Sequence, residues 1–355
     1  MSQASPPAAV AASPLGTRLD PQPRSRPASR RGRRRRTGPP PATAGRPGRR
    51  RRRTRPLAAL VVASVLWGGA VSGTKYALGG FGPLTLLSVE LVAAAGVLWI
   101  VLLVRGYRPP GSWWLPALLG LLEPGVAYLA ETLGLSLTSA VHGAVITGLE
   151  SALVVVLAAV VLREGISVAA VLAVLVALAG LVVLSGDGGG QRVVLGDLLM
   201  AVGVLSASLY TIAAKRFGDG SDVLSLTTWQ FTAAALVSVP VTAVSWAAGA
   251  RGETLAVAPR FWVAALLVGV AGFGASFLLF NQVIGRVRAG WSAIVLNLIP
   301  VFAFLGAVGF LGEDVTGADA AGAILVGASV VYFVIAEQRA ERSARKPPAG
   351  QPGLT

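Results

Sequence analysis

Residues 57–78 read LAALVVASVLWGGAVSGTKYAL, an apolar run whose single charged residue is Lys75. A helix needs about 20 apolar residues to cross the hydrocarbon core of a bilayer, so this run is long enough to span it. A signal peptide would show a small-residue cleavage site after a shorter apolar core, and none stands out here. We therefore expect a retained first transmembrane helix.

Similar apolar runs recur along the chain as far as residue 336. Hydrophobic residues make up 54% of the chain and charged residues only 13%, whereas a soluble domain carries about 25% charged residues. These runs predict an all-α polytopic membrane protein with ten transmembrane helices, close to residues 57–77, 83–104, 113–135, 138–162, 166–185, 193–214, 223–248, 261–284, 289–311 and 315–336.

The N-terminal segment, residues 1–55, has a different composition. It holds 16 arginines, no lysine and one acidic residue, so the rest of the chain, with 15 basic and 15 acidic residues, is neutral. Its apolar content is too low to offset the entropy of ordering, so we predict a disordered tail that attracts anionic lipid. Because no aromatic residue is interleaved with the arginines, nucleic acid is not an expected partner. A second disordered tail is predicted at 338–355.

The orientation follows from the basic residues between spans. With the N-terminus in the cytoplasm, the cytoplasmic loops hold Arg105, Arg108, Arg163, Lys215, Arg216, Arg286 and Arg288. The opposite loops hold only Arg192, Arg251 and Arg260. This excess predicts a protein of the bacterial inner (plasma) membrane with both termini in the cytoplasm.

A weak internal repeat relates the two halves of the chain. Glu164 and Glu313 each follow a span and lie 149 residues apart, and at that offset Ser151 falls opposite Pro300. Five spans is an odd number, so the second copy must be inverted in the membrane. We predict two inverted five-helix repeats, residues 56–186 and 193–337, an arrangement that places the substrate site of many transporters at the repeat interface.

Several motifs in these repeats are similar to those of one family. Trp67-Gly68-Gly69 followed by Lys75 resembles the opening of transporters of the EamA type, within the drug/metabolite transporter superfamily. Pro300 followed by Phe-Leu-Gly-Glu at 310–313 resembles the end of an EamA repeat. The resemblance implies a ten-helix inverted-repeat bundle that moves metabolites or drugs, often outward.

Two positions depart from the family's pattern. Ser151 stands where such repeats usually have proline, and Glu90 stands where a basic residue is frequent. Both changes are compatible with membership of the family. They do not allow a substrate to be carried over from relatives.

Acidic residues inside the spans are the first candidates for a functional site, because a charge in hydrocarbon costs about 2.5–3.5 kcal/mol. These are Glu90, Glu123, Glu131 and Glu150. A rise of about 1.5 Å per residue puts Glu123 and Glu150 near the middle of the membrane. We hypothesise that these two face a central cavity and alternate between a proton and the substrate. The alternative is a structural pairing with Lys75, His142 or the backbone.

Uncharged polar and aromatic residues complete the candidate site. Gln230, Asn281 and Asn297 can orient a substrate by hydrogen bonds or equally hold helices together. Trp67 and Tyr128 can line a cavity or simply pack.

The residue inventory also bounds the function. The chain has no cysteine and only one histidine, His142, so no metal site is expected. No P-loop is present, and no nucleophile and base cluster as in an enzyme, so neither cofactor nor catalytic residue is predicted. The sequence favours a secondary active transporter, an exporter or permease of small molecules. The alternatives are a lipid or lipid-linked carrier flippase and a non-transporting sensor or scaffold. The sequence is compatible with a monomer or a homodimer.

Overall fold

The computed structural model describes residues 48–107, 113–161, 168–185, 190–217, 222–250, 252–284 and 297–344. The regular secondary structure of these residues is entirely helical, and they contain no β-strand. In chain order the α-helices are α1 (Gly48–Ala77), α2 (Pro83–Val104), α3 (Trp114–Gly120), α4 (Ala127–Leu135), α5 (Ala140–Thr147), α6 (Glu150–Val161), α7 (Val168–Ser185), α8 (Gly190–Phe217), α9 (Val223–Ala247), α10 (Pro259–Leu267), α11 (Ser276–Ile284), α12 (Leu298–Gly309) and α13 (Gly317–Ala344).

Seven helical segments in the described part of the chain are long and apolar enough to cross a membrane. They are Ala58–Ala77, Pro83–Val104, Trp114–Leu135, Ala140–Ala158, Gly190–Phe217, Val223–Ala247 and Pro259–Val283. Three shorter apolar segments, Val171–Leu184, Leu298–Gly309 and Gly317–Ser329, lie within α7, α12 and α13. All ten segments fall within predicted spans or overlap them. The protein is therefore an all-helical, multi-pass membrane protein.

Helix α1 begins at Gly48, so it starts inside the segment predicted as an N-terminal tail, while residues 1–47 lie outside the described residues. At the other end α13 continues to Ala344, past the predicted start of the C-terminal tail, and residues 345–355 are outside the described part.

Two spans contain π-helical segments, and in the first of them the backbone is kinked at Glu123, whose dihedral angles are not helical. The first, Leu121–Val126, joins α3 to α4, and the second, Val268–Ala275, joins α10 to α11. Pro124 accounts for the first, because proline has no N–H for the helix ladder and its ring crowds the carbonyl one turn earlier. The second holds Gly269, Gly272 and Gly274, whose missing side chains allow close approach to neighbouring helices.

The α5–α6 span is interrupted as well. Helix α5 ends at Thr147, the chain turns at Gly148 and Leu149, and α6 begins at Glu150. Broken helices at membrane depth are tolerated where their free backbone groups are buried in protein or line a cavity.

Small residues bring the helices close together. Gly68 of α1 lies against α12, where an added Cβ would be 2.7 Å from the carbonyl oxygen of Ile299. Gly180 of α7 and Gly322 of α13 pack against each other's carbonyl groups in the same way. Close packing of small residues drives helix association in lipid, where the hydrophobic effect between helices is absent.

Candidate functional site

A cavity lies between the helices, and the volume open to the centre of a water molecule is about 60 Å³. This volume is enough for several waters. Its wall comes from α1, the α3–α4 span, the α5–α6 span, α8, the second π segment, α11 and α12. The lining residues are Trp67, Ala70, Val71, Thr74, Glu123, Tyr128, Glu131, Thr132, Leu135, Thr147, Glu150, Met200, Val204, Ala207, Thr211, Phe273, Phe280 and Ile299.

Three carboxylates meet in this cavity. Glu123 lies within electrostatic range of both Glu131 and Glu150. Its side chain is only 8% exposed, and Glu131 and Glu150 are half-buried. Among the described residues no hydrogen bond or ion pair reaches any of the three carboxylates, and the lining contains no basic side chain. The cavity therefore brings three carboxyl groups together with no basic side chain in its described lining.

Interruptions of the helices position two of these carboxylates. Glu123 sits within the first π segment with φ −145° and ψ 123°, which turns its backbone out of the helix. Glu150 is the first residue of α6, directly after the break at Gly148. Functional sites in transporters are typically formed by such discontinuous helices.

The third carboxylate is fixed by close helix packing. Glu131 lies in α4, which packs along α8. Gly203 of α8 makes room for it, because a Cβ at position 203 would lie 2.6 Å from Cγ of Glu131.

Aromatic rings form one side of the cavity. Trp67 Nε1 donates a hydrogen bond to the Tyr128 hydroxyl at 3.0 Å. The Trp67 ring stands edge-on to Phe280 at a centroid distance of 5.4 Å, and Tyr128 lies 4.1 Å from Phe273. Such ring faces attract cations, by about 2 kcal/mol when the site is dry.

Two threonines that the sequence analysis missed add polar groups to the wall. Thr132 and Thr211 are 2% and 5% exposed, and within the described residues neither hydroxyl has a hydrogen-bond partner. A single threonine in a span carries no signal of its own, since most threonines in helices bond to their own backbone.

The other candidate residues lie elsewhere. Glu90 is fully buried behind the cavity wall, where Thr74 Oγ1 donates to its Oε1 at 3.1 Å while Oε2 has no partner. Asn297 precedes α12 and leaves its Nδ2 without a hydrogen bond.

Gln230 and Asn281 form a separate amide cluster beside the cavity. Gln230 Nε2 donates to the Tyr210 hydroxyl at 3.1 Å, and that hydroxyl donates to Asn281 Oδ1 at 2.9 Å. Asn281 Nδ2 in turn donates to Gln230 Oε1 and to Thr227 Oγ1, both at 3.1 Å. These satisfied groups hold α8, α9 and α11 together.

Lys75 and His142, the structural partners considered for the glutamates, bind other groups. Lys75 Nζ donates to the backbone carbonyls of Leu135 and Thr138 at 2.8 and 2.5 Å. His142 lies between Asp197 and Asp319. Across the described ranges, no group of three or more acidic, histidine or cysteine side chains is arranged to hold a metal ion.

Comparison with known proteins adds the family. The model of the EamA-like transporter family matches residues 54–186 and again residues 194–335. The chain belongs to the EamA-like transporter family. The match accounts for most of the chain, and it agrees with the Trp67–Gly69 and 310–313 motifs.

Curated relatives of this EamA protein carry consistent names. It is 24% identical over 277 residues to the "uncharacterized transporter YyaM" of Bacillus subtilis, covering 74% of this chain and 88% of the relative. Identity to the "uncharacterized transporter YvbV" of the same organism is 25% over 302 residues, covering 82% and 95%. An "uncharacterized transporter" of Archaeoglobus fulgidus is 25% identical over 282 residues, covering 78% and 97%.

A solved crystal structure of another protein shares the fold. It has a TM-score of 0.59 and 21% identity, covering 81% of this chain and 99% of that one. Membership of this transporter family makes the EamA chain a membrane transporter.

Proposed function

We propose that this protein is a secondary active transporter that exchanges small cationic metabolites or drugs for protons by alternating access. The observation that carries the proposal is the cavity in which Glu123, Glu131 and Glu150 meet with no basic residue beside them. Like charges brought together away from water repel one another. Protons or a bound cation therefore stabilise the cavity by reducing its negative charge.

The exchange itself needs no covalent step. A protonated amine enters the cavity, and a protonated carboxyl group releases its proton to the solvent on that side. The amine then pairs with the carboxylate that is left and contacts the ring faces of Trp67 and Tyr128, so one positive charge enters as one leaves. After the cavity opens to the other side, a proton displaces the amine. A gradient of protons then drives the cation, in most cases outward.

The architecture supports alternating access by two inverted repeats of five spans. The family model matches the chain twice, and each match covers five predicted spans. The helix contacts repeat in the same sense. Gly120 of α3 lies against the backbone of Gln230 in α9, and Gly269, 149 residues later, lies against the backbone of Glu90 in α2. In this arrangement the cavity lies at the repeat interface, where rocking of one repeat against the other exposes it in turn to each side.

The remaining features of the proposal concern location. The excess of basic residues on one set of loops supports an inner-membrane protein with both termini in the cytoplasm. The arginine-rich N-terminal segment contacts anionic lipid, and the chain functions alone or as a homodimer.

Transport by purified protein in liposomes tests the proposal. With an imposed proton gradient, small amines should move in the wild type, and Glu123→Gln and Glu150→Gln should each lose most of that transport. Glu253→Gln is the matched control, because Glu253 accepts hydrogen bonds from the backbone at the start of α2, away from the cavity. Normal proton-driven transport by both cavity variants would refute the exchange mechanism.

A further inference from the structure

A second cluster of charged groups lies one helical turn beyond the cavity. Nδ1 of His142, in α5, is 2.9 Å from Oδ1 and 3.0 Å from Oδ2 of Asp197, near the start of α8. Nε2 of the same ring is 3.0 Å from Oδ1 of Asp319, near the start of α13. Thr138 Oγ1 also donates to Asp197 Oδ1 at 2.6 Å. All three acidic and basic side chains are nearly buried.

The cluster needs a proton to be stable. A neutral imidazole has one N–H and one bare lone pair, whereas an imidazolium has two N–H groups. Here both ring nitrogens face a carboxylate oxygen, and in the neutral ring one lone pair would point at a carboxylate. Oδ1 of Asp319 is buried and has no hydrogen-bond partner among the described residues, so a charged His142 ring 3.0 Å away would serve as its counter-ion. The arrangement therefore fits a positively charged imidazolium between two carboxylates. That ring carries one proton more than a neutral histidine.

The backbone around Asp319 fixes that carboxylate in place. Its Oδ2 accepts from the amide of Thr316 at 2.8 Å, and its own amide donates to Thr316 Oγ1 at 3.1 Å. This reciprocal pair caps α13. Asp319 therefore cannot turn away from His142 without uncapping the helix.

The position of the cluster connects it to the cavity. Met200 lines the cavity, and Asp197 is three residues earlier on α8, about 4.5 Å along the axis. Leu135 also lines the cavity, and its carbonyl shares Lys75 with that of Thr138. The ion pairs tie α5, α8 and α13 together at the end of the bundle next to Met200 and Leu135 of the cavity wall.

We propose that His142, Asp197 and Asp319 form a second proton-binding site, and that its proton locks this end of the cavity shut. Loss of the proton leaves two carboxylates facing a neutral ring, and the ends of α5, α8 and α13 separate. The site is distinct from the three glutamates of the cavity. Its role in controlling access to the cavity rests on the proposed function. Its binding of a proton does not need a substrate.

The other charged groups on the helices around the cluster bind backbone groups of neighbouring residues or line the cavity. Glu313 accepts hydrogen bonds from the amides of Ala140 and Val141, which begin α5, and it faces Lys75 of α1. From α4 the acidic residue is Glu131, which lines the cavity. Helices α7 and α12, which also pack against α5, carry no charged residue.

Thiol labelling measures the opening directly. The chain has no cysteine, so Leu135→Cys gives the full-length protein a single thiol at the locked end of the cavity. Its rate of reaction with a water-soluble maleimide is divided by that of Ala256→Cys, a variant with an exposed loop thiol, which removes the pH dependence of the reagent. In detergent, without substrate, we expect the ratio to rise about tenfold between about pH 6 and about pH 9, a range that extends above the usual one for histidine because two carboxylates face the ring.

Two variants assign the proton to the cluster. In the Leu135→Cys background, His142→Gln should label fast at both pH values, because glutamine carries no positive charge. Asp319→Asn keeps the cap on α13 but removes one carboxylate, and it should raise labelling at the lower pH. A wild-type ratio that does not change with pH would overturn the lock, even if His142→Gln fails to fold. An unchanged pH dependence in a folded His142→Gln protein would overturn it too. Because labelling needs no substrate, failure of the transport assay alone would refute the proposed exchange and not this site.

Discussion

Replacing Gly120 or Gly269 by alanine adds one methyl group at the points where two pairs of spans come closest. At position 120 the new Cβ would lie 2.5 Å from Cα of Gln230, and at position 269 it would lie 2.5 Å from the carbonyl oxygen of Glu90. Ordinary carbon contacts are about 3.5–4.0 Å, so the helices must separate by about 1 Å. Since the opposing atoms are backbone, no side-chain rotation relieves the overlap.

Overpacking of this kind costs about 1–3 kcal/mol. An unfolding entropy of about 2.1 cal/mol/K per residue makes 1 kcal/mol worth about 1.3 °C in a chain of this length, so the apparent unfolding temperature in detergent should fall by about 1–4 °C in each variant. Intrinsic fluorescence on heating is a suitable assay, because several tryptophans lie at helix contacts. The two variants should fall by similar amounts, since their contacts correspond in the two halves of the chain.

Gly96→Ala is the control, because a Cβ at position 96 meets nothing within 4 Å. Alanine is the better helix former by about 1 kcal/mol, so this variant should unfold at the wild-type temperature or above it. If Gly120→Ala and Gly269→Ala were as stable as Gly96→Ala, the close contacts of α3 with α9 and of the second π segment with α2 would be wrong.

Three further predictions concern single features. Glu313→Ala removes the carboxylate that caps α5 and should cost about 1–2 kcal/mol of stability by thermal unfolding, whereas Glu313→Gln should cost less; equal losses would argue against capping. Tyr128→Phe leaves the buried Trp67 N–H without its acceptor and should cost about 1–3 kcal/mol, with weaker amine transport; an unchanged unfolding temperature would contradict that hydrogen bond. Deletion of residues 1–47 should leave transport per inserted molecule unchanged, and loss of transport with normal insertion would favour the sensor or scaffold alternative.

The spans were predictable because membrane crossing depends on local composition. A run of apolar residues must form its hydrogen bonds internally in lipid, and each run can be read without knowing its neighbours. The helix interruptions also depend on local residues, Pro124 and Gly148. They mark the points at which Glu123 and Glu150 enter the cavity.

Contacts between distant segments could not be predicted in the same way. Nothing local distinguishes Glu131, which lines the cavity, from Glu90, which lies behind Thr74. The partners of His142 are 55 and 177 residues away along the chain, and only the packing of α5 with α8 and α13 brings them together.

Proton release from the purified protein on addition of an amine is the most direct test of the central claim, that cations and protons compete for the carboxylates of the cavity. In weakly buffered detergent solution, a panel of amines should release protons from the wild type and from Glu253→Gln, and the release should disappear in Glu123→Gln combined with Glu150→Gln. Release that persists undiminished in the double variant, or no release with any amine that the protein transports, would contradict the account.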